Sequence, residues 1–201
     1  GYIMQVADEI ADWGHPIIIR PWWESNTVPA TTSGNVFNGS VASHTIFDAN
    51  GNVVSNIDDW IAGWIHMHDI FVDAGATNAK WFWSQLSWPS INYGSTNPVS
   101  LADLWPGSSY VDIAGIEFYP YANFDPTGAD TFTSSNIVGA YNELIDCCQG
   151  KPIWIAEAGV GSYIDGVDKI AEKTRWIGNA LNPAFVSTYF PKVECVMVWS
   201  D

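Results

Sequence analysis

His15-Pro-Ile-Ile-Ile-Arg-Pro-Trp-Trp-Glu24-Ser-Asn26 is a short, strongly apolar, β-branched run that finishes on a carboxylate. A second run, Lys151-Pro-Ile-Trp-Ile-Ala-Glu157-Ala-Gly159, has the same form. Both read as buried strands. A buried strand rarely ends on a carboxylate without a task for it, because burying a charge is costly.

Working outward, apolar Ile3, Val6, Ala7, Ile10 and Ala11 recur at helical spacing over 2–13, and His15-Pro16 ends that helix before a strand at Pro16–Pro21. Thr27 to Asn56 is rich in Thr, Ser, Gly and Asn and reads as one long loop with a small hairpin at Asp48-Ala-Asn-Gly51. Loops of that length in compact domains usually serve function. A helix is expected over Asp58–Ala74, with Asp58 as N-cap and Gly75 as its close, then a strand at Ala79–Ser84. A short helix near Ser100–Trp105, a strand at Asp112–Tyr119, and a helix from about Ser134 to Cys148 follow. The remaining expectations are a strand at Pro152–Ala156, a helix over Val167–Leu181 and a strand at Val193–Trp199.

Alternation of near-continuously apolar strands with helices means a parallel sheet covered by helices, in a barrel or a doubly wound sheet. No GxGxxG or GxxxxGK[ST] follows a strand, which argues against nucleotide binding. Glu24, Trp83, Tyr119, Glu157 and Trp199 all fall at C-terminal strand ends, the face on which barrels build their sites. The fold class expected is therefore α/β, a (β/α)8 TIM barrel. Five strands cannot close eight, and about 250 residues are typical of that fold. The 201 residues read as one catalytic barrel domain whose first three strands are absent, supplied by a missing segment or another chain. A sheet of these strands alone has an exposed edge at Ile17–Ile19.

Charged residues are only 14% of the chain and hydrophobic residues 47%, a globular balance unlike that of disordered segments. Seven Lys plus Arg against 22 Asp plus Glu give a formal charge of −15, which disfavours nucleic acid and anionic membrane partners. Twelve Trp, eight Tyr and nine Phe suit the apolar faces of sugars, although many such rings belong in a core. No run is long and apolar enough for a spanning helix, and Gly1-Tyr-Ile-Met-Gln has no signal-peptide character. Cys148 precedes one strand and Cys195 opens the next, so a disulfide between neighbouring strand starts fits an oxidising compartment. Asn38-Gly-Ser40 is a glycosylation sequon, a pattern short enough to arise by chance.

Hydrolysis of a glycosidic bond needs an acid to protonate the departing oxygen and a carboxylate on the opposite side of the sugar ring. Glu24 and Glu157, separated by 157 − 24 = 133 residues and three strand-to-strand steps, would face each other across a barrel mouth. The competing reading of Glu24 is a rim carboxylate paired with Arg20. Glu157 has small neighbours, Ala156, Ala158 and Gly159, which leave room for a ligand.

Arg20-Pro-Trp-Trp-Glu24-Ser-Asn26, Ala79-Lys-Trp-Phe-Trp-Ser84, Trp105-Pro-Gly-Ser-Ser-Tyr-Val-Asp-Ile-Ala-Gly-Ile-Glu-Phe-Tyr119, Lys151-Pro-Ile-Trp-Ile-Ala-Glu157 and Val196-Met-Val-Trp199 resemble, in order, strands four to eight of a clan A glycoside hydrolase. The chain is most similar to glycoside hydrolase family 26, the endo-β-mannanase family. The most specific stretch is Trp105–Tyr119, similar to the family's Tyr-Pro-Gly-Asp-x-Tyr-Val-Asp-x-Val-Gly-Ile-Asp-x-Tyr. The resemblance implies retaining hydrolysis of internal β-1,4 linkages, with Glu24 as acid/base and Glu157 as nucleophile. It further implies that Tyr119 hydrogen-bonds the nucleophile and that Trp199 floors the reacting sugar. Arg20, Trp23, Asn26, Trp83 and Trp88 complete the expected substrate-binding set, and Tyr121 is a further candidate. One departure stands out: the family has His or Asn before the acid/base, and this chain has Trp23, which donates one N–H and accepts nothing. Trp22 and Trp23 cannot both face inward on a continuing strand.

The resemblance favours mannan, a secreted enzyme, and no cofactor; β-glucan or xylan come next. A carbohydrate-binding or structural barrel without turnover is the rival from another class. His66 and His68, two apart on a helix, point to different sides and make a poor metal pair. Asp125 and Asp130 lack the EF-hand pattern, and Ser84, Ser87 and Ser200 lack a GxSxG context.

Overall fold

The computed structural model describes residues 1–26, 40–41, 44–45, 57–87, 100–119, 135–159, 163–164, 167–168 and 170–198. Helix α1 (Tyr2–Trp13) leads into strand β1 (Ile17–Ile19), a two-stranded ladder of β2 (Ser40–Val41) and β3 (His44–Thr45), helix α2 (Ile57–Asp73) and strand β4 (Ala79–Leu86). Then come β5 (Ile113–Phe118), α3 (Ser135–Cys147), β6 (Ile153–Ala158), a ladder of β7 (Tyr163–Ile164) and β8 (Val167–Asp168), α4 (Ile170–Ala180), α5 (Pro183–Tyr189) and β9 (Val193–Val198).

β1, β4, β5, β6 and β9 form one parallel sheet in that order. Spatial order equals chain order throughout. A doubly wound sheet reverses its order at a switch point. A sheet that keeps adding strands on one side is part of a barrel, and the half-barrel matches the expected (β/α)8 class.

Alternation sorts the side chains. Trp81 and Trp83 of β4, Ala114, Ile116 and Phe118 of β5, and Ile153, Ile155 and Ala158 of β6 join Trp60, Trp64, Phe71, Ile137, Leu144 and Trp176 in the core between sheet and helices. Phe82, Ile113 and Ala156, with Trp154 and Met197, pack on the other, inner face. Gly115 is required there, since a Cβ would lie 2.7 Å from Phe82 Cε2 and 2.8 Å from the Trp154 carbonyl oxygen. α1 stops at Gly14, whose φ of 72° lets its N–H return to the Ile10 carbonyl.

Several boundaries differ from the sequence expectation. The helix expected from Val167 starts at Ile170, because Val167–Asp168 pairs with Tyr163–Ile164 and the Asp168 carboxylate accepts the Ile170 N–H. It ends at Ala180, and α5 is a separate helix with Asn182 capping the Ala184 and Phe185 N–H groups and Pro183 in its first turn. Asp58 lies inside the first turn of α2 rather than capping it, where its charge still suits the helix dipole. The helix near Ser100–Trp105 is a single 3-10 turn, Ala102–Leu104. The expected hairpin at Asp48–Gly51 and the Asn38 of the sequon lie outside the described residues. Cys147, Cys148 and Cys195 are free thiols, although β6 and β9 are neighbours as expected. β1 pairs with β4 on one side, and Ile18 is 45% exposed at the sheet edge.

Candidate active site

Glu157 reaches the inner face through a β-bulge. Ile116 pairs with Ile155 and Glu117 with Glu157, so Ala156 is an extra residue on β6. Strict alternation would have sent Glu157 to the helix side with Ile153 and Ile155. The extra residue re-aims it beside Glu117, a recurrent use of bulges near functional sites.

Arg20, just beyond β1, gathers the inner-face polar groups. Its Nε donates to Ser84 Oγ at 2.7 Å, its Nη1 to Glu157 Oε1 at 2.5 Å, and its Nη2 to Glu117 Oε1. Burial works against the guanidinium charge, but Glu117 and Glu157 outweigh it and the pKa rises. Arg20 thus steadies carboxylates on the inner face of the sheet. Tyr119 Oη donates to Glu157 Oε2, so both oxygens of Glu157 are held by donors and the carboxylate is fixed in orientation.

Glu24 sits on a turn. β1 ends at Ile19, and Trp22 and Glu24 take left-handed φ values of 51° and 58°. The twist sends Trp22 outward against Trp60 of α2, at 6.0 Å between ring centroids, and leaves Trp23 beside Arg20, whose Cζ lies 5.8 Å from its ring centre. The two tryptophans part as expected, by a turn rather than by strand pleat. The Glu24 carboxyl is raised above its ordinary value, first by burial and then by the charge of Glu157, with Arg20 opposing. A half-buried carboxyl biased toward its proton, beside an ionisable partner in electrostatic reach, is the environment of a general acid.

Two expected substrate contacts are corrected. Trp83 is fully buried on the helix side of β4, with Nε1 donating to the Leu104 carbonyl and its ring against Trp105, because odd-numbered β4 residues face the helices. Asn26 is 2% exposed and serves the fold: Nδ2 donates to the Leu86 carbonyl, Oδ1 accepts the Leu86 N–H, and its own N–H goes to Gln85 Oε1. Trp88, Tyr121 and Trp199 lie outside the described residues.

Glu117 is the functional-looking residue that sequence reasoning passed over. It is fully buried, and its Oε2 has no hydrogen-bond partner among the described residues. Burial, opposed by Arg20, raises its pKa to about 7. The signals in the sequence were a lone acid inside an otherwise apolar run, Ile113-Ala-Gly-Ile-Glu117-Phe118, and the Asp at the matching place of the family pattern.

That value carries a stability prediction. The folded carboxyl titrates near 7 against an ordinary 4.5, so folding favours its neutral form. The contribution is complete below about 4.5 and lost as pH climbs through about 7. At about 1.4 kcal/mol per tenfold change this group costs roughly 3 kcal/mol across that window. Glu117→Gln should remove that part of the slope in urea denaturation at pH 5, 6, 7 and 8; an unchanged slope would contradict it.

A curled parallel sheet with carboxylates at its C-terminal edge has the architecture of a barrel with its site on that face. The relatives bear this out at the level of fold. GH26A from Muricauda sp. MAR_2010_75 superposes with a TM-score of 0.57 at 21% identity, over 99% of this chain and 49% of that one. The Bacillus subtilis mannanase BCman superposes with a TM-score of 0.57 at 20% identity, over 99% and 47%. In sequence, Endoglucanase H of Acetivibrio thermocellus is 28% identical over 200 residues, 98% of this chain and 19% of that protein. No family profile matches the chain. The chain spans about half the length of the solved barrels and about a fifth of Endoglucanase H.

Proposed function

We propose that the chain is the catalytic part of a retaining, endo-acting glycoside hydrolase that cleaves internal β-1,4 linkages of a neutral polysaccharide. The observation that carries this is the pairing of Glu24, biased toward its proton, with Glu157, re-aimed by the bulge and held by Arg20 and Tyr119. Glu157 attacks the anomeric carbon while Glu24 protonates the leaving oxygen; Glu24 then activates water to release the sugar. Trp23 offers an apolar face beside this pair.

Mannan is the leading substrate, supported by the fold shared with a mannanase. A β-1,4-glucan is the second reading, favoured by the likeness to an endoglucanase. A polymeric substrate calls for action outside the cell. The acting form is the closed barrel, in which further strands pair with the sides of β1 and β9 that no described strand covers. Such a protein should release reducing ends from mannan or β-1,4-glucan, with viscosity falling early, as internal cleavage requires. Binding to both polymers without reducing-end release would favour the non-catalytic alternative.

A further inference from the structure

Helix α2 lies on the outer side of the sheet, yet two of its residues govern the turn that carries Glu24. Non-glycine residues with positive φ are strained and persist where the surroundings over-determine them. Trp22 and Glu24 are two such residues, flanking Trp23. The constraint on this turn comes from α2. The Trp22 ring lies so close to Gly63 that a Cβ there would come within 2.8 Å of its Cη2 and 3.2 Å of its Cζ3. Trp60 is fully buried and stacks on Trp64 at 5.7 Å, so it cannot easily yield. Its Nε1 donates to Ser25 Oγ at 3.0 Å, and Ser25 Oγ donates to the Trp22 carbonyl at 2.5 Å. On the opposite side, Asn26 ties the end of the turn to Gln85 and Leu86 of β4.

We propose that Trp60 and Gly63 are positioning residues for Glu24: the indole N–H fixes the turn through Ser25, and the missing side chain at Gly63 admits the Trp22 ring that sets its direction. Neither contacts substrate. The proposal rests on Glu24 being the general acid, and it predicts a loss specific to the step that needs that acid. A displacement of about 1 Å can cost on the order of 10²-fold in rate.

The test uses Trp60→Phe, which keeps an aromatic ring while removing the N–H donor together with part of the indole's volume, and Gly63→Ala, in the full-length protein. kcat/KM, which reports formation of the glycosyl-enzyme, is measured on two substrates. One is an oligosaccharide, whose leaving sugar must be protonated; the other is the 2,4-dinitrophenyl β-glycoside, whose leaving group departs unaided. Each variant should lose at least about 10-fold on the oligosaccharide and less than about 2-fold on the dinitrophenyl substrate. The retained dinitrophenyl activity also reports that the variants fold. Glu24→Ala, run in parallel, should show the same selectivity more strongly. Equal losses on both substrates in Trp60→Phe and Gly63→Ala, with Glu24→Ala selective, would overturn the positioning role. Equal losses in Glu24→Ala would instead overturn the reading of Glu24 as the acid.

Discussion

Glu157→Ala should lower reducing-end release from the best β-glycan by at least about 10⁴-fold, as removal of a covalent nucleophile does elsewhere. The loss should appear in kcat on activated and natural substrates alike, because among the described residues no other carboxylate takes its place on the inner face. Glu117, the nearest alternative in the register, is fully buried and bound to Arg20. A second effect follows from the electrostatics. Burial raises the Glu24 pKa most, and the Glu157 charge adds to it. Removing that charge should let the Glu24 pKa fall, visible in a carboxyl NMR titration of the variant against the parent. Parent-like release from the Glu157→Ala protein would refute the assignment.

Glu24→Ala should have a conditional effect. General acid catalysis contributes typically about 10²–10⁴-fold, and only where the leaving group needs a proton. Natural oligosaccharides should therefore lose activity by that range, while the first step on dinitrophenyl glycosides changes little. Azide, a small nucleophile needing no base, should restore turnover of the stalled glycosyl-enzyme and yield a β-glycosyl azide. Because the Glu24 pKa lies above its ordinary value, the acid form persists to higher pH than an exposed glutamate would allow. The parent should lose kcat/KM on oligosaccharides as pH rises through that pKa, and this dependence should be absent on the dinitrophenyl substrate, whose departure needs no acid. Uniform loss across both substrates, without azide rescue, would point to a structural glutamate.

The five strands of the parallel sheet were legible because each is a β-branched or aromatic run near Gly, Pro or Asn, whereas the two-residue ladders β2–β3 and β7–β8 were not, and the helices α1 and α2 were legible because Ile10 in one and Trp60, Trp64 and Phe71 in the other recur at helical spacing. The break between α4 and α5 escaped a reading by periodicity, although Asn182-Pro183 carries a helix-start signal. Glu24, Glu157, Arg20 and Tyr119 could be nominated by position at strand ends. What could not be read is convergence. The Ala156 bulge decides which face Glu157 takes, and it shows only once β6 is laid against β5. Trp83 and Asn26 looked like ligand contacts from strand-end position alone, whereas strand parity sends one to the core and the hydrogen-bonding reach of β4 takes the other. Glu117 became visible only when Arg20, sixty-odd positions from Ser84 and further still from Glu117, closed the network.

Covalent capture is the direct measurement. The full-length protein would be incubated with 2-deoxy-2-fluoro β-mannosyl and β-glucosyl glycosides bearing a dinitrophenyl leaving group, then digested and mapped by mass spectrometry. A stable glycosyl ester should form on Glu157, within the Lys151–Gly159 stretch, and should be absent from Glu157→Ala. A label on another residue, or hydrolysis of β-glycan with inversion and no label, would contradict a retaining mechanism through Glu24 and Glu157.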